Sequence, residues 1–165
     1  MQFRRPPRLH LSPDPRPAVP PVVPPAAEAP VPSLVQPEGP ARALILVVDD
    51  SPLMRGMVTK MLKAKNFAII QADSGLHGIA EWENRKADIA LVVSDVFMPG
   101  MDGLAFAREL RKRQRTLPII LMSSKLDEDS RWIAEESGFL LLPKPFQESQ
   151  LLELVERVLR SQRPG

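Results

Sequence analysis

The chain has no cysteine and no tyrosine, and aromatic residues make up only 5% of its 165 positions. Without a thiol, disulfide frameworks, zinc-thiolate sites, iron–sulfur clusters and cysteine nucleophiles are excluded. A reducing compartment is compatible with that absence. No apolar run approaches the ~18 residues of a membrane span. Arg4, Arg5 and Arg8 stand near the N-terminus, but prolines interrupt the residues after them and the apolar core of a secretory signal is missing. The sequence therefore predicts a cytoplasmic protein. Charge of one sign is scarce as well: 22 Lys and Arg stand against 20 Asp and Glu. Residues 1–43 hold five Arg and three acids, while 44–165 carry 17 side chains of each sign. That balance offers no electrostatic case for nucleic acid as a direct partner.

Proline is the residue in excess. There are 19, and 13 of them lie in residues 1–40. Proline removes amide donors and fixes φ, so residues 1–43 are expected to form a disordered arm with polyproline II character. Pro21-Val22-Val23-Pro24 fits a loose P-x-x-P docking pattern, which such a composition also produces by chance. The arm reads as a spacer or as a docking peptide.

After Ala43 the pattern changes. Leu44–Val48 is a short, continuous, β-branched apolar run, the signature of a strand buried on both faces. It ends in Asp49-Asp50-Ser51-Pro52, a capping residue followed by Pro at a helix start. Leu53, Met54, Met57, Val58, Met61 and Leu62 then recur at helical spacing. Further apolar runs at Phe67–Ile70, Ile89–Ser94, Ile119–Met122 and Phe139–Leu142 alternate with helical patterns over 76–85, 104–114, 128–136 and 148–159. Five strands alternating with five helices predict an α/β fold, a parallel sheet covered on both faces.

The polar residues of interest share one address, the C-terminal ends of strands, where doubly wound sheets bind ligands. The first strand delivers Asp49 and Asp50, the third Asp95, the fourth Ser123, and the fifth Lys144. Three clustered carboxylates repel one another unless a cation lies among them. A hard divalent ion such as Mg²⁺ suits few carboxylates with positions open to water and phosphate oxygens. A metal, an ammonium and a hydroxyl around one carboxylate make a site for phosphoryl transfer to that carboxylate.

The motifs Val47-Val48-Asp49-Asp50-Ser51, Ser94-Asp95-Val96-Phe97-Met98-Pro99-Gly100-Met101-Asp102-Gly103, Ile119–Ser124 and Lys144-Pro145-Phe146 together resemble the CheY-like response-regulator receiver domain of two-component signalling. The resemblance covers residues 44–162. It implies a flavodoxin-like sheet of order 2-1-3-4-5, Asp95 as phosphoacceptor, and Mg²⁺ held by Asp49, Asp50, Asp95 and the backbone carbonyl of Phe97. It also implies that Ser123 follows the phosphoryl group, that Lys144 pairs with its oxygens, and that the Lys144–Pro145 bond is cis. Phe97 and Lys125 match positions that flank the phosphoryl group and influence its hydrolysis. Arg55 is assigned no role.

The implied function is a stand-alone phosphorylation switch. A histidine kinase or phosphotransfer protein is the donor, a downstream protein meets the surface of helix 4, strand 5 and helix 5, and phosphorylation can drive dimerisation of a monomer. Trp132 and Ile133 are candidates for that surface. No enzymatic turnover is expected beyond slow self-dephosphorylation. Leu141 departs from the pattern, because Tyr or Phe is usual there. That departure suits an alternative, a degenerate receiver acting as a constitutive interaction module. A metal-dependent phosphatase on a related sheet would want D-x-D after the first strand, which Asp49-Asp50 does not supply. Arg111-Lys112-Arg113-Gln114-Arg115 reads as a solvated helix end, where cations suit the dipole.

Overall fold

The computed structural model describes residues 42–125 and 128–162. The proline-rich arm lies almost wholly outside the described residues. Ten elements alternate along the chain: β1 (Leu44–Val48), α1 (Pro52–Ala64), β2 (Ala68–Ala72), α2 (Gly75–Arg85), β3 (Ile89–Asp95), α3 (Gly103–Arg113), β4 (Ile119–Ser123), α4 (Glu128–Ser137), β5 (Leu140–Pro143) and α5 (Glu148–Ser161). The sheet order is β2-β1-β3-β4-β5, and every pairing is parallel. No described helix is long and apolar enough to cross a membrane.

Strand alternation sorts the core into two layers. Leu46, Val48 and Val92 face Trp82 of α2, Phe106 and Leu110 of α3, and Ala134 of α4. Ile45, Val47, Leu91 and Val93 face Val58 and Leu62 of α1 and Leu151, Val155 and Val158 of α5. Successive strand residues point to opposite faces, so β1 and β3 must be apolar throughout.

The apolar stripe of α1 is narrower than its sequence predicts. Val58 and Leu62 are buried, but Leu53 and Met57 are exposed and Thr59 is buried in their place. The first turn of α1 starts beyond the end of β1, where no sheet lies beneath Leu53.

Two strands begin one residue later than their apolar runs, for a common reason. Asn66 adopts φ 64°, and the Phe67 amide donates to the Leu62 carbonyl at 3.3 Å while the Asn66 amide donates to Lys63. Gly138 adopts φ 69°, and the Phe139 amide donates to Ala134 at 2.8 Å while the Gly138 amide donates to Glu135. Both are helix-closing motifs in which a left-handed residue is followed by an apolar one that folds back on the helix. Phe67 and Phe139 therefore close α1 and α4 instead of opening β2 and β5.

The end of β3 and the start of α3 are jammed together. The Gly103 amide donates to the Val96 carbonyl at 2.8 Å. A Cβ on Gly103 would stand 2.0 Å from the Asp95 carbonyl oxygen. The close return fixes the loop that follows Asp95, and Asp102 caps α3 by accepting from the Ala105 amide at 2.7 Å. Gly103→Ala is expected to cost about 3 kcal/mol, an overpacking penalty against backbone that cannot retreat. Gly56→Ala is the control. No heavy atom lies within 4 Å of its added Cβ, so helix propensity should make it stabilising by roughly 0.5–1 kcal/mol. Urea unfolding of both variants checks the pair.

Candidate functional site

Four polar side chains meet at the carboxyl edge of the sheet. Asp49 directly follows β1, its amide donates to the Ala72 carbonyl at 3.2 Å, and the residue is 1% exposed. The Ser51 amide donates to Asp49 Oδ1 at 2.8 Å. Asp50 is exposed at the tip of the same turn. Asp95 is the last residue of β3 and is buried. One carboxylate oxygen from each of Asp49, Asp50 and Asp95 lies within 4.8 Å of the other two.

Lys144 enters from the end of β5. Its amide donates to the Ser123 carbonyl at 2.8 Å, which anchors the β5 exit to the end of β4. The Lys144–Pro145 bond is cis. Lys144 Nζ donates to Asp95 Oδ1 at 2.8 Å and stands 3.6 Å from Asp49 Oδ2. The cluster thus holds three carboxylates and one ammonium.

Burial pushes the Asp49 carboxyl above its ordinary value of 3.8, and the charges of Asp95 and Asp50 push the same way; the Ser51 amide and Lys144 pull it back only in part. Asp49 Oδ2 is buried without a hydrogen-bond donor. A buried carboxylate oxygen without a donor, beside two further carboxylates, fits a hard divalent cation with oxygen ligands. Phe97, whose carbonyl the resemblance adds to that set, lies on the loop leaving β3.

Ser123 ends β4, and its hydroxyl is turned to its own loop. Oγ donates to the Lys125 carbonyl at 2.5 Å and accepts from the Lys125 amide at 3.2 Å. The structure therefore brings Asp49, Asp50, Asp95 and Lys144 together and leaves the Ser123 hydroxyl engaged elsewhere. Lys125 Nζ also stands 6.0 Å from the centre of the Phe97 ring, tying the loops after β3 and β4 together. Phe97 is 47% exposed. Leu141 is half-buried on β5 opposite Leu121 and packs on the core. Trp132 is exposed on α4, and the Ile133 side chain lies outside the described residues.

One contact goes beyond the sequence expectations. Arg55 Nη1 donates to the Asp49 carbonyl at 2.6 Å and so steadies the turn that carries both acids. Side chains on a helix lean toward its N-terminus, so a long donor in the first turns of α1 can reach back to that turn. Spacing alone does not distinguish it from a solvent-facing arginine.

Comparison with known proteins agrees with this arrangement. The family model of the response regulator receiver domain matches residues 45–156. Protein PilH of Pseudomonas aeruginosa is 34% identical over 120 residues, 71% of this chain and 98% of PilH. The DNA-binding transcriptional regulator NtrC of Salmonella typhimurium is 34% identical over 119 residues, which is 72% of this chain; the chain thus spans only 25% of that regulator's length. Among solved structures, chemotaxis protein CheY4 of Vibrio cholerae superposes with a TM-score of 0.66 at 30% identity, over 72% of this chain and 99% of that one. With its five-stranded parallel sheet and the acid cluster at its carboxyl edge, the chain belongs to the response regulator receiver domain family.

Proposed function

We propose that this chain is a phosphorylation switch in which Asp95 accepts a phosphoryl group from a histidine kinase or phosphotransfer protein. The observation that carries the reading is the Lys144 ammonium 2.8 Å from Asp95 Oδ1, beside an acid pair suited to a divalent ion. Asp49, Asp50, Asp95 and the Phe97 carbonyl would hold Mg²⁺. Bound there, Mg²⁺ supplies positive charge for the phosphoryl oxygens.

A free oxygen of Asp95 attacks the phosphorus of a phosphohistidine donor. The new P–O bond forms as the P–N bond breaks, and the imidazole leaves neutral with that electron pair, its other nitrogen keeping its proton. The product is an aspartyl phosphate, and the protein is a stoichiometric acceptor that turns over only through slow hydrolysis. Lys144 moves its hydrogen bond from the carboxylate to the phosphoryl group. The Ser123 hydroxyl leaves the Lys125 carbonyl to donate to a phosphoryl oxygen, freeing the loop before α4. The population shift then reaches a protein-binding surface on α4, β5 and α5. A constitutive module is the second reading, favoured by Leu141, which provides no ring to reorient.

Acetyl phosphate or beryllofluoride with Mg²⁺ should shift amide resonances around Asp95, Ser123 and α4. It should also change the emission of Trp132, which is 62% exposed. Asp95→Asn should abolish both responses. Equal responses in wild type and variant, or none in wild type, would remove the switch reading.

Phe97 bears on the lifetime of the acyl phosphate. Held toward Lys125, its ring shields the phosphorus from water. Phe97→Asn should raise the hydrolysis rate severalfold, read as phosphate release after phosphodonor removal. An unchanged rate would leave Phe97 as a packing residue only.

The acid pair makes a separate prediction. Because burial holds the Asp49 carboxyl above 3.8 in the folded state, the folded protein takes up protons more readily than the unfolded chain. The stability penalty is then complete above the folded pKa and fades as pH falls toward the unfolded value. Asp49→Asn should raise metal-free stability by about 1–3 kcal/mol at neutral pH, because it removes a buried negative charge that Asp95 and Asp50 repel and that lacks a full set of donors. The same variant should lose the stabilisation that Mg²⁺ gives wild type. Urea melts in EDTA and in Mg²⁺ check both halves.

A further inference from the structure

The opposite edge of the sheet carries a second concentration of charge, of the other sign. A cleft of about 560 Å³ lies between the C-terminal half of α3 and the α4–β5 turn, lined by Arg108, Arg111, Lys112, Arg115, Ser137 and Phe139. Arg108, Arg111 and Lys112 follow the helical i, i+3, i+4 spacing on one face of α3, and Arg115 joins them from the turn just beyond the helix end. Only Lys112 has an acidic partner among the described residues, Glu109 at 3.3 Å. The neighbouring Arg113 points away, paired with Glu109 and Glu83.

Arg111 is built into the floor of this cleft. Its guanidinium lies 5.2 Å from the centre of the buried Phe139 ring. Nη1 donates to the Arg115 carbonyl at 2.5 Å and Nη2 to the Gly138 carbonyl at 3.3 Å. Two of the five guanidinium N–H groups are thus committed. Nε is buried with no acceptor. Burial lowers the pKa of Arg111. A held, partly desolvated guanidinium with donors to spare, flanked by two cations without acidic partners, is the arrangement that recognises phosphate oxygens.

We infer that this cleft binds a compact polyphosphate anion, of the pyrophosphate or tripolyphosphate class. The groove is shallow and open to solvent, and the cations that line it can share the oxygens of one compact anion. Three cations without acidic partners among the described residues match the charge of linked phosphates better than that of one carboxylate. Arg108 and Arg115 are exposed and close on the ligand from either side, and the Ser137 hydroxyl is a further donor. The ligand would not touch the acid cluster, so its binding is independent of the phosphorylation reading.

The test is calorimetric and amide-NMR titration of the full chain with sodium tripolyphosphate. It is run in EDTA to keep divalent ions off the acid cluster, at ionic strength held constant with sodium chloride. One-to-one binding on the order of 0.1 mM or tighter is expected, with shifts confined to residues 108–115 and 137–139. The double variant Arg108→Gln/Arg115→Gln changes only exposed side chains and should weaken binding by at least about tenfold. Arg113→Gln should leave it within about twofold. The inference is overturned by any of four results: no saturable binding at millimolar ligand, undiminished binding by the double variant, shifts mapping to residues 1–43, or tighter binding of a glutamate peptide of equal charge, which would make the face a protein-docking surface.

Discussion

One ammonium group holds the carboxyl edge of this sheet together. Lys144 Nζ is the only cation among the described residues that bridges Asp95 and Asp49, at 2.8 and 3.6 Å. Both carboxylates are buried. In a medium of reduced dielectric, two such charges with oxygens within 4.8 Å of each other repel by several kcal/mol. The lysine offsets much of that, yet Asp49 Oδ2 still lacks a donor and the Asp49 carboxyl is still pushed up. The site is therefore under-neutralised by construction. That residual negative charge is what a divalent ion would relieve.

The rest of the fold serves to keep those charges close. β1 and β3 are adjacent central strands in register from Ile45 and Leu91 onward, so Val48 and Ser94 end level and Asp49 and Asp95 emerge side by side. Apolar packing on both faces of these strands leaves them no freedom to slip. The loops are pinned one by one: Arg55 on the Asp49 carbonyl, Gly103 against the Asp95 carbonyl, and the Lys144 amide on the Ser123 carbonyl. Each pin is a backbone contact, so each positions a functional side chain without competing for its polar atoms.

Much of this is legible in the sequence, and the exceptions share a cause. Buried parallel strands read as solid apolar runs, and the acids and Lys144 stand at their ends, so sheet and cluster are both visible from residue order. Phe67 and Phe139 read as strand residues because apolar character does not reveal where an amide goes. Their amides close helices, a fact set by the left-handed residues before them. Leu53 and Met57 read as core because periodicity marks a helix face but not where the sheet beneath it stops. The direction of the Ser123 hydroxyl, the reach of Arg55 and the cleft around Arg111 depend on rotamers and on turns distant in sequence. The run 111–115 looks like ordinary helix-end charge until Gly138 and Phe139 are folded against it.

Ser123 links the end of β5 and the loop after β4 through very few contacts. Its carbonyl accepts from Lys144, which touches the acid cluster, while its hydroxyl is closed onto Lys125, the last described residue before α4 begins at Glu128. One residue therefore bonds to the site through its backbone and to the α4 loop through its side chain. A hydroxyl has a single proton, so donating to a phosphoryl oxygen and donating to the Lys125 carbonyl are mutually exclusive. In the proposed switch that exclusion would give the Ser123 hydroxyl two alternative acceptors without any bulky ring. A receiver with Leu141 in place of an aromatic would then keep a readout through the donor choice of one hydroxyl, with the leucine contributing packing on the core.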